Sequence, residues 1–295
     1  MVSGCSSSPD IPLWFDSIER LPVRTVIVDG QRIAHLDAGQ GPPVILIHGF
    51  GGSMWQWEYQ QEVLAAHHRV ITLDLLGSGL SDKPDIEYRP DQILSSFRGF
   101  MDALGISRAT LIGNSMGAGL AIGMALSHPE RVDQLVLISG FPDRITERLT
   151  SPLIGRAINT KMPAWLVTIG SWFFGRSTME TVLKEIVYDH SLLTPAVIAR
   201  SNRNRQRLGQ VAPILAVGRN LPLWEEGYAK QLGEIRQRTL ILWGEEDRVF
   251  PAQVGRDLQR VIPSSTLVLI PKAGHIPQWE RPEDVNPLIV NFLKH

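Results

Sequence analysis

The sequence predicts an α/β fold: a mostly parallel eight-stranded sheet, helices on both faces, and a helical segment inserted after the sixth strand. Three observations lead there. Short runs rich in β-branched residues rarely alternate with polar ones, as expected of strands buried on both faces. Helix-like stretches separate most of them, the order of a parallel sheet covered on both sides. That rhythm breaks between Phe141 and Gly233, where Trp, Arg, Met and helix formers replace any buried strand.

In chain order, VRTVIV and RIAHLDA flank Asp29-Gly30, a strong hairpin-turn signal. PVILIH (Pro43–His48) ends in Gly49-Phe-Gly-Gly52, and RVITLDL (Arg69–Leu75) ends in Leu76-Gly-Ser-Gly79. ATLIGN (Ala109–Asn114), QLVLIS (Gln134–Ser139), TLILWG (Thr239–Gly244) and TLVLIP (Thr266–Pro271) complete the strands. Helices are expected over 55–66, 91–104, 115–127, 251–261 and 282–293. The chain divides into a flexible N-terminal segment (1–20), a core (21–140 and 234–295) and a helical lid (141–233). In open α/β sheets ligands bind beyond the carboxyl ends of the strands, so an insertion there covers the site.

With 295 residues, 43% hydrophobic and 20% charged, there is ample material for one large core. A formal net charge of -1, from 29 basic and 30 acidic residues, predicts no nucleic-acid or anionic-membrane partner. The one cysteine, Cys5, excludes an intramolecular disulfide. No apolar run is long enough to span a bilayer. Val2-Ser-Gly-Cys5 resembles the cleavage box of a bacterial lipoprotein, but the basic and apolar parts of a signal peptide do not precede it. A cytoplasmic protein is expected, with lipidation at Cys5 as the alternative.

The chemistry centres on Gly113-Asn-Ser-Met-Gly117, which fits the G-x-S-x-G turn between a strand and a helix. Such a turn holds its serine in a strained conformation, and side chains two residues away would collide. Alone, the pentapeptide reads equally as a glycine-rich turn. A nucleophilic serine also needs a base, and the base an orienting acid. His275, in Lys272-Ala-Gly-His-Ile-Pro, and Asp247, in Trp243-Gly-Glu-Glu-Asp, both follow apolar strands, in the order Ser…Asp…His. Glu245 and Glu246 are weaker candidates for the acid. His48 is expected to stabilise its loop, and the other histidines have surface or packing readings. The loop HGFGG supplies oxyanion donors, assigned to the N–H groups of Phe50 and Met116. Neither a metal nor a cofactor is required, since no metal-ligand spacing occurs.

HGFGG, DLLGSGLSDKP, GNSMG, LWGEEDRVFP and AGHIPQWERPEDVN together resemble the α/β-hydrolase superfamily over nearly the whole chain. Within it, GNSMG with Asn114, YDHSLLT (Tyr188–Thr194) and H-x-x-Q-W-E (His275–Glu280) are similar to the serine-dependent hydrolases that cleave carbon–carbon bonds in meta-cleavage products. That resemblance implies a substrate-binding lid arginine, Arg200 or Arg203. Trp57 stands where that subgroup has an asparagine, and Ile276 where it has a tryptophan. These departures shift the expected reaction to hydrolysis of a carboxylic ester or related small apolar acyl compound through an acyl-enzyme. Carbon–carbon cleavage is one alternative, and a ligand receptor with little turnover is another. Trp165, Trp172, Phe173, Phe174 and Trp224 either line an apolar pocket or pack the lid on the core.

Overall fold

The computed structural model describes residues 22–294. The N-terminal segment and Cys5 lie outside the described residues. Eight strands form one sheet in the order β1-β2-β4-β3-β5-β6-β7-β8. They are β1 (Arg24–Val28), β2 (Gln31–Ala38), β3 (Pro43–Ile47), β4 (Arg69–Leu73), β5 (Ala109–Asn114), β6 (Val132–Ile138), β7 (Arg238–Gly244) and β8 (Ser265–Ile270). β1 pairs antiparallel with β2, and β2 with β4; every other pairing is parallel. At the first hairpin, Asp29 and Gly30 take φ of 49° and 78°. Two left-handed residues in a row match the twist of the strands they join.

Helices pack on both faces. We number them α1 (Gln61–Ala65), α2 (Pro90–Ala103), α3 (Met116–Ser127), α4 (Ile145–Arg148), α5 (Pro152–Asn159), α6 (Ala164–Ile186), α7 (Pro195–Arg205), α8 (Val211–Arg219), α9 (Leu221–Gly227), α10 (Ala252–Val261), α11 (Pro277–Glu280) and α12 (Pro282–Leu293). The segment from α4 to α9 enters after β6, at the carboxyl edge of the parallel strands. α3 is buried along nearly its whole length, which accounts for a sequence apolar on every side.

One expected element divides. The helix expected over 55–66 is a 3₁₀ turn (Met54–Trp57) followed by the short α1. Side-chain hydrogen bonds hold the break in place: Gln60 donates to the Gln278 carbonyl (2.8 Å) and Gln61 to the Val70 carbonyl (3.1 Å). The 3₁₀ advance of about 120° per residue separates two neighbours. Trp57 is fully buried with Val44, Leu46 and Ile112, whereas Gln56 faces a cavity described below.

The β5–α3 turn places the most severe demand on the backbone. Ser115 sits at φ 52°, ψ -116°, a conformation side-chain-bearing residues rarely adopt. A Cβ at Gly113 would lie 2.3 Å from the carbonyl of Gly117, and one at Gly117 would lie 2.2 Å from that of Ile47. Both obstacles are backbone and cannot swing aside. Gly117→Ala is therefore expected to lower stability by about 2–3 kcal/mol, read by denaturant unfolding. Unchanged stability would show that α3 has room to move away from β3.

Candidate active site

Three strand ends bring the site together. β5 leads into Ser115, β7 ends three residues before Asp247, and the loop after β8 carries His275. Ser115 and His275 line one cavity, partly open to solvent. His275 Nδ1 lies 2.8 Å from Asp247 Oδ2. The other carboxylate oxygen, Oδ1, accepts from the N–H groups of Val249 (2.7 Å) and Phe250 (3.0 Å). With both oxygens engaged and the side chain buried, Asp247 fixes the imidazole ring and favours a proton on Nδ1, leaving Nε2 to accept one. Glu246 is committed elsewhere, accepting from Ala273 N at 3.1 Å.

The loop bearing His275 is fastened from two directions. Asn114 Nδ2 donates to the His275 carbonyl (3.0 Å) and the Ile138 carbonyl (3.2 Å). On the other side, His275 N donates to the carbonyl of Ile186, at the end of α6 (2.7 Å). Glu280 joins the same parts, accepting from Gly274 N (2.8 Å), Tyr188 N (2.6 Å) and Asp189 N (3.3 Å). Burial pushes its carboxyl up to about 7 despite those donors.

The loop after β3 forms the opposite wall. His48 Nε2 accepts from Leu75 N (3.1 Å), so its proton resides on Nδ1, which faces the Gly49 carbonyl at 2.8 Å. His48 thus braces its loop, and burial lowers its affinity for a second proton. Gln56 Oε1 accepts from Gly49 N at 2.9 Å. Phe50 lines the cavity. Met116 opens α3, where the first N–H groups have no acceptor within the helix.

Of the residues expected to bind substrate, Asn114 and Ile276 line the cavity. Trp57 does not, because the 3₁₀ turn buries it beneath the sheet. Arg200 is turned inward but captured: its two Nη atoms reach Glu58 at 2.7 and 3.1 Å, and its guanidinium lies over Trp55. Trp279 Nε1 also donates to Glu58, at 2.6 Å. Arg203 is exposed and outside the cavity. Trp224 packs on Phe141 and Tyr228, while Trp165, Trp172, Phe173 and Phe174 point to solvent. Two contributors escaped the sequence reading, Gln56 and Glu280. Gln56 lies beside Trp57 in the same loop, and Glu280 ends the H-x-x-Q-W-E stretch.

A protein-family profile described as alpha/beta hydrolase fold matches residues 42–282. A 2-hydroxy-6-oxononadienedioate/2-hydroxy-6-oxononatrienedioate hydrolase of Comamonas testosteroni is 31% identical over 271 residues, 89% of this chain and 91% of the relative. A 2-hydroxy-6-oxo-6-phenylhexa-2,4-dienoate hydrolase of Burkholderia cepacia is 31% identical over 268 residues, with the same coverage of 89% and 91%. Among solved structures, a meta-cleavage product hydrolase from Pseudomonas fluorescens IP01 superposes with a TM-score of 0.80 at 28% identity, covering 92% of this chain and 97% of that one. These relatives overturn the expectation of carboxylic-ester hydrolysis: they are named for oxo-dienoic acids, despite Trp57 and Ile276 in this chain.

Glu280 makes stability depend on pH. Its folded-state carboxyl holds a proton up to about 7, above the ordinary 4.5. The contribution of this group is full below its ordinary value and is lost as the pH rises through about 7, by up to about 3 kcal/mol. Denaturant melts across that window are expected to show the decline in wild type and a flatter profile in Glu280→Gln. Parallel profiles would mean that Glu280 titrates as in water.

Proposed function

The chain belongs to the α/β-hydrolase fold family as a serine-type hydrolase, and on that premise we propose that it cleaves a carbon–carbon bond in a 2-hydroxy-6-oxo-dienoate by hydrolysis. One observation carries the reading: Ser115 and an Asp247-oriented His275 open into a single apolar cavity, in a chain similar to oxo-dienoate hydrolases over about nine-tenths of its length. Ser115 is the nucleophile, His275 the base and Asp247 the residue that orients it. The N–H groups of Phe50 and Met116 hold the oxyanion.

The bond to be broken joins C5 to the C6 carbonyl. In the dienol form C5 is part of a double bond and cannot leave. Moving the proton of the 2-hydroxyl to C5 gives a ketone in which electrons released at C5 pass into a dienolate. Ser115 Oγ, its proton taken by His275, then adds to C6. Collapse of the oxyanion breaks C5–C6, releases the dienolate and leaves an acyl-serine. His275 donates the proton back to the departing product. Water, activated by the same imidazole, releases a carboxylic acid.

The cavity suits such a molecule. Apolar side chains of the inserted helices, Ile145, Ile154 and Ile158 among them, face the site and accommodate the substituent on C6. The cavity-facing sides of α4 and α5 and the C-terminal end of α6 act as the lid that excludes water. The lining residues include no Lys or Arg. The substrate carboxylate therefore falls to a neutral donor, the Gln56 Nε2, whose amide oxygen already accepts from Gly49 N.

Purified protein is expected to bleach the absorbance of 2-hydroxy-6-oxo-dienoates bearing phenyl or short alkyl groups at C6. Ser115→Ala should lower turnover by about a thousandfold or more and abolish labelling by a fluorophosphonate. Absence of turnover by the wild type on every member of that series would sink the reaction, and equal labelling of both proteins would sink the nucleophile.

A further inference from the structure

α6 is built inside out. Along its first half the residues turned toward α7 are small or polar: Ser171 and Gly175 are buried, Gln206 Nε2 donates to the Ser171 carbonyl, and a Cβ at Gly175 would lie 2.8 Å from Asn202 Oδ1. The opposite side carries Trp165, Leu166, Ile169, Trp172 and Phe173, spaced as one stripe of a helix. Trp165, Trp172, Phe173 and Phe174 are 63%, 66%, 78% and 72% exposed. A helix that contributes to a core places its large apolar side chains inward; this one places them in water, as a surface that meets a partner does.

Charge selects the partner. From Leu149 to Met179 the chain contains Arg156, Lys161 and Arg176 and neither Asp nor Glu. All three cations are exposed. The nearest acid along α6, Glu180, is bonded to Lys184 at 2.7 Å. Indole and phenyl rings with flanking cations are the chemistry of a helix lying in the headgroup region of an anionic bilayer. A second copy of the same face fits less well, because a two-fold contact would set these cations against themselves. No helix among the described residues is long and apolar enough to cross a membrane, so the contact is peripheral.

We propose that the outer face of α6, with the cations around it, docks this protein on an anionic lipid surface. Surface and site share the inserted helices: Ile154 and Ile158 of α5, and Ile186 at the opposite end of α6 from the aromatic stripe, line the cavity beside Ser115. The net charge of the chain conceals this, since acids elsewhere balance the local excess. The proposal is independent of which bond is cleaved.

Flotation of the full chain with vesicles tests it. Binding to phosphatidylcholine mixed with phosphatidylglycerol is expected to exceed binding to pure phosphatidylcholine about tenfold and to fall with added salt. Trp172→Ser with Phe173→Ser, and separately Arg176→Glu, should each reduce binding about tenfold without changing turnover of a water-soluble substrate. Tryptophan emission of the wild type should shift to the blue on adding anionic vesicles. Failure of the wild type to float, or equal flotation of the variants, overturns the proposal. So does a wild-type dimer that the aromatic variant converts to monomer without any vesicle binding, which would assign the face to a second copy.

Discussion

Everything at the site depends on the close approach of α3 to the carboxyl end of β3. The backbone reverses at Ser115 because Gly113 and Gly117 leave no Cβ in the way, and the helix then begins against the carbonyls of Ile47 and His48. The loop after β3, the serine and the start of α3 therefore occupy one small volume. A comparable approach occurs across the sheet. A Cβ at Gly244 would lie 2.0 Å from the Gly274 carbonyl, so the end of β7 presses directly on the loop of His275. Two close backbone approaches, each needing glycine, bring the Ser115 side and the His275 side together.

The His275 side is held by polar contacts as well as by packing. Asp247 orients the ring, Asn114 holds the carbonyl behind it, and Ile186 takes the His275 N–H. Because Ile186 ends α6 and Glu280 bonds both to Tyr188 and to Gly274, the inserted helices are mechanically continuous with His275. A shift of α6 is transmitted to the imidazole through backbone hydrogen bonds. Nearby, Arg200, Glu58 and Trp279 join α7 to α11 through a buried ion pair. Such a pair contributes little net energy after desolvation but specifies how the two parts meet.

α6 thus serves two environments. Its C-terminal end forms part of the cavity wall and holds the His275 N–H, while its N-terminal half sends aromatic side chains outward. The same division explains why the aromatics of α6 do not fill the pocket: aliphatic residues of α4 and α5, chiefly isoleucines, line it there instead.

The eight strands and their mostly parallel pairing, the position of the insertion and the three candidate catalytic residues were legible because each has a local signature. Buried parallel strands read as continuous apolar runs, and a strand-to-helix turn needs glycine at fixed offsets. Asp247 and His275 follow directly from strand ends, where a parallel sheet must collect them. The fate of Trp57, Gln56, Arg200 and the aromatics of α6 was not legible. A 3₁₀ turn, rather than the expected helix, decided which of Gln56 and Trp57 faces the cavity. Arg200 has the chemistry of a carboxylate ligand, but Glu58, 142 positions away, takes it. By itself the sequence determined the fold and the candidates for the reactive side chains, because both rest on short-range backbone constraints. Only the tertiary structure decided which polar groups are left for a substrate and which apolar ones are left for a surface, because that depends on partners distant in the chain.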